Sequence, residues 1–249
     1  MSQRTIHRVV GWMLIVAVVL CVPLVGFRRA VRATAQSMER PVVILDPGHG
    51  GIDGGATSAD GVVEKDINLA IALQLRELLQ ISGFSVVMTR ETDCSIHDPG
   101  ATTIRQIKST DIHNRFRMMQ QYPDAIFISI HQNHFTQSKY SGAQFFYAPS
   151  GAGSKALAAC FRTAVRAQLQ PENTREIKPC GSSVYLIYHA TGTAVLAECG
   201  FLSNSDEARR LASAEYQKQM AFALYTGLMQ YCDSDNDTEP EGEASNHAE

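Results

Sequence analysis

Three short apolar runs predict strands that are buried on both faces, and each run leads to a side chain that can bind a metal ion or move a proton. The runs are residues 42–46, 125–130 and 194–197. The first leads through a glycine-rich turn to His49, the second ends on His131 and the third ends on Glu198. Continuous apolar runs of this length are typical of strands in a parallel sheet. Because the carboxyl ends of parallel strands lie at one edge of the sheet, we expect these three residues to converge there.

Between these runs, apolar residues recur at the three- and four-residue spacing of amphipathic helices. The spacing predicts helices over residues 66–80, 112–121 and 154–169, and closing helices between residues 204 and 231. Further strands are expected at residues 84–89, 143–147 and 184–188. Residues 93–110, which include Pro99 and Gly100, are expected to form a long loop near the site. The alternation of strands and helices predicts one α/β domain over residues 41–232 with a largely parallel sheet.

The amino-terminal segment has a composition of its own. Residues 9–27 contain no charged side chain, and this length is close to the ~20 residues that a membrane-spanning helix needs. We therefore expect residues 1–35 to be a membrane anchor or a signal segment. Residues 33–35, Ala-Thr-Ala, fit a cleavage pattern, but three arginines at positions 28, 29 and 32 disfavour cleavage. An uncleaved anchor is the preferred interpretation, and secretion after cleavage is the alternative.

The carboxyl-terminal segment is acidic, and the charge of the middle of the chain excludes one class of partner. Residues 233–249 carry seven acids and no lysine or arginine, and we expect them to be disordered. The formal net charge is −3, of which residues 1–35 contribute +5 and residues 233–249 contribute −7, leaving −1 for the rest. A nucleic-acid-binding domain normally carries a basic surplus, so no nucleic-acid partner is expected.

The cysteines give no sign of a disulfide framework. One of the six, Cys21, lies in the apolar segment, and the remaining five are widely spaced with no CxxC pair. They are expected to pack mostly as small apolar side chains. Cys199 follows Glu198 directly and is a candidate nucleophile, but its position in a buried strand favours a packing role.

His49, Glu64 and His131 form a set of two histidines and one glutamate of the kind that binds catalytic zinc. Such sites use three protein ligands and keep one position open for water. None of the three residues lies in an HExxH helix, so the assignment depends on their three contexts together. Glycines on both sides of His49 permit tight or left-handed turns, which free its imidazole from the strand. His134 and His189 are weaker ligand candidates, and His97 and His113 are expected to be solvated.

Glu198 is the candidate for the group that accepts a proton from the attacking water and passes it to the leaving amine. A carboxylate that directly follows a buried strand is costly to bury without a partner or a role. Each candidate alone has a simple structural explanation, such as a turn histidine, a first-turn helix acid or half of a salt bridge. Four unrelated structural roles at one sheet edge would be a coincidence, so a shared catalytic site is the more economical interpretation.

The segments around these four residues resemble the zinc-dependent N-acetylmuramoyl-L-alanine amidases of the Amidase_3 type. The matching segments are Leu45–Ala56, Glu64–Asp66, Met88–Arg90, Ser129–Asn133 and Val195–Asn204. The resemblance covers about residues 41–231. It implies a twisted, mostly parallel six-stranded α/β sheet, zinc held by His49, Glu64 and His131, and Glu198 as the general base. It also implies Asn133 and Arg115 as substrate-binding residues.

The resemblance implies a peptidoglycan hydrolase that cleaves the amide between the lactyl group of N-acetylmuramic acid and L-alanine of the stem peptide. The short apolar segment, the lack of wall-binding repeats and the loop at residues 93–110 resemble the germination-specific subgroup of spore-formers. Those enzymes strip peptides from spore-cortex muramic acid before a muramic acid deacetylase acts, on the route to muramic-δ-lactam. Peptidoglycan lies outside the cytoplasmic membrane, so the domain is expected outside, although the arginines after residue 27 would keep it inside by the positive-inside rule.

Two alternatives stay open at this point. One is a non-catalytic wall-binding or regulatory homologue, which the presence of all four site residues disfavours. The other is a different zinc peptidase or amidohydrolase, which the muramoyl-specific motifs disfavour. Three departures from the family pattern affect substrate contacts more than the metal set: Gln132 replaces the usual alanine, Gln120 replaces a frequent asparagine, and residues 186–187 lack the usual arginine.

Overall fold

The computed structural model describes residues 40–236, and six strands in this part of the chain form one sheet. The strands are β1 (Val43–Pro47), β2 (Val86–Met88), β3 (Ile126–Asn133), β4 (Gln144–Tyr147), β5 (Lys178–Pro179) and β6 (Ala194–Phe201). Their order across the sheet is β2-β1-β3-β6-β4-β5. Strands β2, β1, β3 and β6 are parallel, whereas β4 runs antiparallel to β6 and parallel to β5. The predicted six-stranded, mostly parallel sheet is confirmed.

Helices cover both faces of the sheet. They are α1 (Glu64–Ile81), α2 (Ile104–Gln120), α3 (Ser154–Gln168), α4 (Tyr185–Tyr188), α5 (Ser205–Leu211) and α6 (Ala214–Asn236). Side chains alternate between the faces along each strand. The side chains of Val43 and Leu45 therefore point to the face covered by α1, α3 and α6. The side chain of Ile44 points to the other face and packs with α2 and α4. Both faces are apolar, which explains the continuous apolar runs in the sequence.

The strand register brings the site residues to one edge of the sheet. Pro47 at the end of β1 is paired with Ile130 of β3, and His131 of β3 is paired with Glu198 of β6. Helix α1 begins at Glu64, beside the same edge. The carboxyl ends of β1, β3 and β6 thus carry the expected residues, as the parallel topology requires.

Two predicted elements differ from the structure. Residues 184–188 were expected to form a strand, but Tyr185–Tyr188 form helix α4, in which Leu186 and Ile187 are buried against the sheet. A five-residue apolar run has no periodicity that distinguishes a strand from a buried helical turn. Helix α2 begins at Ile104, within the expected loop, because Thr103 and Gln106 form a capping box.

The two ends of the chain lie largely outside the described residues. The predicted anchor, residues 1–35, lies wholly outside them, as do residues 237–249 of the acidic tail. Helix α6 continues to Asn236, beyond residue 232, where the sequence places the end of the domain. Within residues 40–236, no helix combines the length and apolar character that a membrane span requires.

Candidate active site

His49 lies in the turn after β1 in a left-handed backbone conformation, with φ 62°. A residue other than glycine keeps this conformation only where its surroundings impose it. Two backbone hydrogen bonds between Gly50 and Asp53 close the turn, at 2.9 and 3.1 Å. The Asp53 Oδ2 atom lies 2.9 Å from Nδ1 of His49, and the Nε2 atom lies 3.2 Å from Oε1 of Glu64. Asp53 therefore fixes the imidazole with Nε2 facing Glu64.

Two arginines support this turn from the interior. Arg90 donates from Nε to the carbonyl of Pro47 and from Nη2 to that of Gly48, both at 2.9 Å. Arg115 donates from Nη2 to the carbonyl of His49 at 2.7 Å and from Nη1 to that of Pro47 at 3.0 Å. Three consecutive carbonyls are thus bound by buried guanidinium groups. These contacts account for the left-handed conformation of His49.

Arg115 was expected to bind substrate, but the structure places it beneath the turn. Its side chain is 3% exposed and forms ion pairs with Asp46 at 2.6 Å and Asp111 at 2.7 Å. All three guanidinium nitrogens are therefore engaged by protein groups. Its observed contacts are those of a support for His49, not of a residue that faces a ligand.

Asp46 connects the ends of three neighbouring strands. Its carboxylate accepts hydrogen bonds from the hydroxyls of Thr89 and Ser129, each at 2.7 Å, in addition to the ion pair with Arg115. Burial by itself would raise the pKa of Asp46, but the Arg115 guanidinium and the two hydroxyls outweigh it and hold this pKa below its ordinary value. Asp46 is therefore a buried, charged anchor for Arg115.

Glu64, the first residue of α1, has both carboxylate oxygens engaged. Oε1 accepts from the backbone N–H of Gln132 at 3.1 Å and lies 2.9 Å from Nδ1 of His131. Oε2 accepts from the backbone N–H of Ala56 at 2.7 Å. Burial would raise the pKa of Glu64, but its hydrogen bonds with the two histidines outweigh burial and lower it. The helix N-terminus also favours a negative charge at this position.

The three candidate ligand residues form one compact cluster. One ligand atom each from His49, Glu64 and His131 lies within 4.8 Å of the other two. The two imidazole rings meet edge to face, with centroids 4.8 Å apart and planes at 73°. Burial lowers the pKa of His49, but the neighbouring carboxylates of Asp53 and Glu64 raise it overall to about 9. Two imidazole nitrogens and a carboxylate oxygen form a donor set that suits zinc.

Two glycines provide the space that this cluster occupies. A Cβ atom at Gly48 would lie 2.0 Å from Nε2 of His131. At Gly55, where φ is 70°, a Cβ atom would lie 2.5 Å from Oε2 of Glu64 and 2.6 Å from Cδ2 of His49. Any other residue at either position would displace a side chain of the cluster. The need for glycine here is thus steric as well as conformational.

Glu198 lies beside His131 in the sheet and lines the same pocket as the three-residue cluster. Its Oε2 atom is buried and has no hydrogen-bond partner within residues 40–236. Burial, assisted by the charge of Glu64, raises the pKa of Glu198 to about 7, although the two histidines lower it. A buried carboxylate oxygen without a partner is costly, and such groups concentrate at functional sites.

The pocket has a volume of about 390 Å³ and is open to the surface beside helix α4. Asn133 and His134 line it together with the cluster and Glu198, so the expected position of Asn133 at the site is observed. Tyr185, Leu186 and Ile187 of α4 also line the pocket. The segment that was expected to be a strand therefore shapes the pocket.

Three further histidines of the described residues, and Cys199, lie outside the cluster. The ring of His189 contacts the rings of Phe116 and Tyr185, His97 contacts Ser95, and His113 contacts the backbone of its own helix. Cys199 is buried in the core between the sheet and helices α1, α3 and α6, and burial raises its pKa. A thiol with a raised pKa is a poor nucleophile, so the packing role fits this position.

A family model described as N-acetylmuramoyl-L-alanine amidase matches residues 43–230, which include His49, Glu64, His131 and Glu198. The chain belongs to this amidase family. The amidase is 36% identical over 190 residues to the germination-specific N-acetylmuramoyl-L-alanine amidase of Bacillus subtilis, a match that covers 76% of this chain and 79% of that one. This relationship confirms the resemblance that the sequence motifs indicate.

Solved amidase structures have the same fold. The CwlD amidase of Clostridioides difficile, solved in complex with the GerS lipoprotein, matches with a TM-score of 0.76 and 42% identity, covering 79% of this amidase and 100% of that chain. The amidase AmiC2 of Nostoc punctiforme matches with a TM-score of 0.66 and 28% identity, covering 78% and 97%. The similarity therefore extends over nearly the whole of both solved chains.

Proposed function

We propose that this amidase uses zinc to hydrolyse the amide between the lactyl group of N-acetylmuramic acid and L-alanine of the stem peptide, and that its substrate is the peptidoglycan of the spore cortex. One observation carries the chemistry. The three-residue cluster and Glu198 line one open pocket, and one carboxylate oxygen of Glu198 is buried there without a hydrogen-bond partner within residues 40–236. Ligands and a proton-transfer group within one pocket are what metal-assisted amide hydrolysis requires.

His49, Glu64 and His131 are the residues that would hold the zinc. When bound, zinc polarises the scissile carbonyl and lowers the pKa of water at the site. Protein groups already orient two of these side chains without the metal. Asp53 orients the ring of His49, and the backbone N–H groups of Ala56 and Gln132 hold Glu64. Groups that orient ligand side chains in this way raise metal affinity.

Glu198 is the proton-transfer residue. It accepts a proton from the attacking water, whose oxygen adds to the lactyl carbonyl carbon. It then delivers the proton to the nitrogen of L-alanine as the carbon–nitrogen bond breaks. The products are a lactyl carboxylate on the glycan and a peptide with a free amino terminus. Glu198 is paired with His131 in the sheet and lines the pocket, and no protein group within residues 40–236 occupies its Oε2 atom.

The spore-cortex role is supported by similarity to two relatives. The germination-specific amidase of Bacillus subtilis is 36% identical, and the CwlD amidase of Clostridioides difficile is 42% identical. Removal of the stem peptide leaves a muramic acid that a muramic acid deacetylase can process toward muramic-δ-lactam. That deacetylase is the proposed partner in the reaction sequence.

Spores of a host that lacks its own germination-specific amidase test this role. Complementation with the wild-type chain is expected to restore muramic-δ-lactam in the cortex, measured by mass spectrometry of muropeptides. Complementation with the Glu198→Gln variant is expected to leave the lactam absent. Wild-type protein that is produced in these spores and restores no lactam would rule out the cortex role, even if the purified protein cleaves peptidoglycan.

We also propose that the domain lies outside the cytoplasmic membrane and is held there by residues 1–35. The support is the uncharged segment at residues 9–27 and the location of peptidoglycan. Protease treatment of intact protoplasts is expected to degrade the domain, and the membrane-bound species is expected to have the full-length mass. Protection of the domain would contradict export, whereas a shortened, released protein would contradict only the anchor.

A further inference from the structure

A second pocket, of about 610 Å³, lies at the same edge of the sheet as the catalytic pocket. It includes the segment just before β4, and β4 runs antiparallel to β6, so its first residue, Gln144, is paired with Glu198. Ligands of open α/β sheets bind at this edge, where the parallel strands end. The second pocket is therefore in a position to bind another part of the same substrate.

One loop connects the two pockets. Asn133 and His134 line the catalytic pocket, and Tyr140 lines the second one. Between them, Phe135 is 47% exposed, and its ring meets the ring of Tyr140 edge to face with centroids 5.2 Å apart. Phe135 is exposed and Tyr140 is half-buried, and the pair lies on the segment that leads from one pocket lining to the other.

Arg175 is held in a fixed orientation at the second pocket. Its Nε donates to the carbonyl of Ser141 at 2.8 Å, and its Nη1 donates to Oε1 of Gln144 at 3.2 Å. The guanidinium lies over the ring of Phe201, 4.4 Å from the centroid, and 5.7 Å from that of Tyr140. A planar guanidinium that is already ordered loses little entropy when it binds a carboxylate.

The charges of the second pocket favour an anion. Lys139, Arg175 and Arg210 line it, with Glu172 and Glu207 as the acids. Glu207 is buried and accepts hydrogen bonds from the backbone N–H groups of Gly142 and Phe201, so it is already bound by the protein. Lys139 and Arg210 are both exposed and therefore accessible to a ligand.

The separation of the pockets matches the length of a short peptide. Strands β3, β6 and β4 are neighbours, and adjacent strands lie ~4.8 Å apart, so β4 is about 10 Å from the strand that carries His131. An extended peptide advances ~3.3 Å per residue and spans this distance in about three residues. We propose that the second pocket is a subsite for carboxylates of the stem peptide, about three residues from the scissile amide, and that Lys139, Arg175 and Arg210 bind them. This inference rests on the proposed function.

Two synthetic muramoyl peptides test the subsite, one with free carboxylates beyond L-alanine and one with those carboxylates amidated. The full-length, zinc-loaded wild-type protein is expected to show a KM about fivefold higher for the amidated substrate at a similar kcat. A difference of this size is typical of partly exposed, charge-assisted hydrogen bonds. In the Lys139→Gln/Arg210→Gln variant, the KM for the free substrate is expected to rise to that of the amidated one. Arg175→Lys, which keeps the charge but loses the planar fork, is expected to lose part of the discrimination.

The matched control is Lys155→Gln, since Lys155 is exposed at the start of α3 and outside both pockets. It is expected to keep the wild-type preference. Equal KM values of the wild type for both substrates, or an equal rise of both KM values in the double variant, would overturn the subsite. The subsite would also be overturned if the double variant kept the wild-type KM for the free substrate but lost binding to a protein partner. If instead the wild type released no peptide from either substrate, the proposed function itself would fail.

Discussion

Arg115 and Asp46 form a buried ion pair directly beneath the turn that carries His49. Their Nη1 and Oδ1 atoms lie 2.6 Å apart, and the side chains are 3% and 1% exposed. The same guanidinium binds the backbone carbonyl of His49, so the pair connects the sheet to a residue of the candidate metal site. Removal of one partner of such a pair leaves an uncompensated buried charge, which typically costs about 3–5 kcal/mol.

The first prediction is that Arg115→Lys weakens zinc binding. Lysine keeps the positive charge but cannot bind Asp46, Asp111 and the carbonyl of His49 at once. Loss of a residue that orients a ligand typically lowers metal affinity by about 10- to 100-fold. Competition with a chelator measures this change. Arg117→Lys is the matched control on the same helix, because Arg117 is 62% exposed. Equal zinc affinity of the two variants would contradict the supporting role of Arg115.

The second prediction concerns stability in acid. The pKa of Asp46 is lower in the folded protein than its ordinary value of 3.8. Its stabilising effect is therefore fully present above about pH 4 and is lost as the pH falls through the folded-state pKa. Urea unfolding of the metal-free protein between pH 6 and pH 3 should show this loss. The Asp46→Asn variant should be less stable at pH 6 and show a weaker pH dependence; an unchanged pH dependence would be evidence against the assignment.

The third prediction separates the proton-transfer residue from the ligand. Glu198→Gln is expected to lower kcat by about 10²–10⁴-fold and to keep its zinc, because its shape is nearly unchanged while its proton acceptor is gone. Glu64→Gln is expected to weaken zinc binding itself. Metal analysis and turnover of the two purified variants make the comparison. Zinc lost from the first variant and kept by the second would mean that the two roles are reversed.

The fourth prediction tests the space around the cluster. Gly48→Ala is expected to abolish zinc binding, because the added Cβ would lie 2.0 Å from Nε2 of His131. Gly100→Ala is the control, since no heavy atom lies within 4 Å of a Cβ at that position. Zinc content is measured beside the circular dichroism spectrum, which reports whether the fold is intact. A well-folded Gly48→Ala protein with full zinc content would show that His131 is not held as described.

The sequence predicts the sheet well where burial leaves a clear pattern. Strands β1, β3 and β6 are buried throughout or nearly so, and their apolar runs stand out from the chain. The convergence of His49, His131 and Glu198 follows from parallel strands alone. The prediction of a strand at residues 184–188 is wrong, because a short buried run is equally compatible with the helical turn that forms there.

The supporting residues could not be assigned from the sequence. Asp53 and Arg90 lie within the motifs that indicate the family, but their contacts depend on the folded turn. Arg115 is a buried cation far along the chain from its partner Asp46, and sequence alone does not separate such an ion pair from a substrate contact. Only the three-dimensional positions show that it faces the interior.

The most direct measurement is the mass of the products that the full-length, zinc-loaded protein releases from a defined muropeptide. We predict two products: a disaccharide that keeps its lactyl carboxylate, and a peptide whose amino terminus is L-alanine. Glu198→Gln should leave the substrate intact over the same time. Cleavage within the peptide would indicate a different zinc peptidase, and an intact substrate with the wild-type protein would indicate a non-catalytic homologue; either result would contradict the proposed amidase reaction.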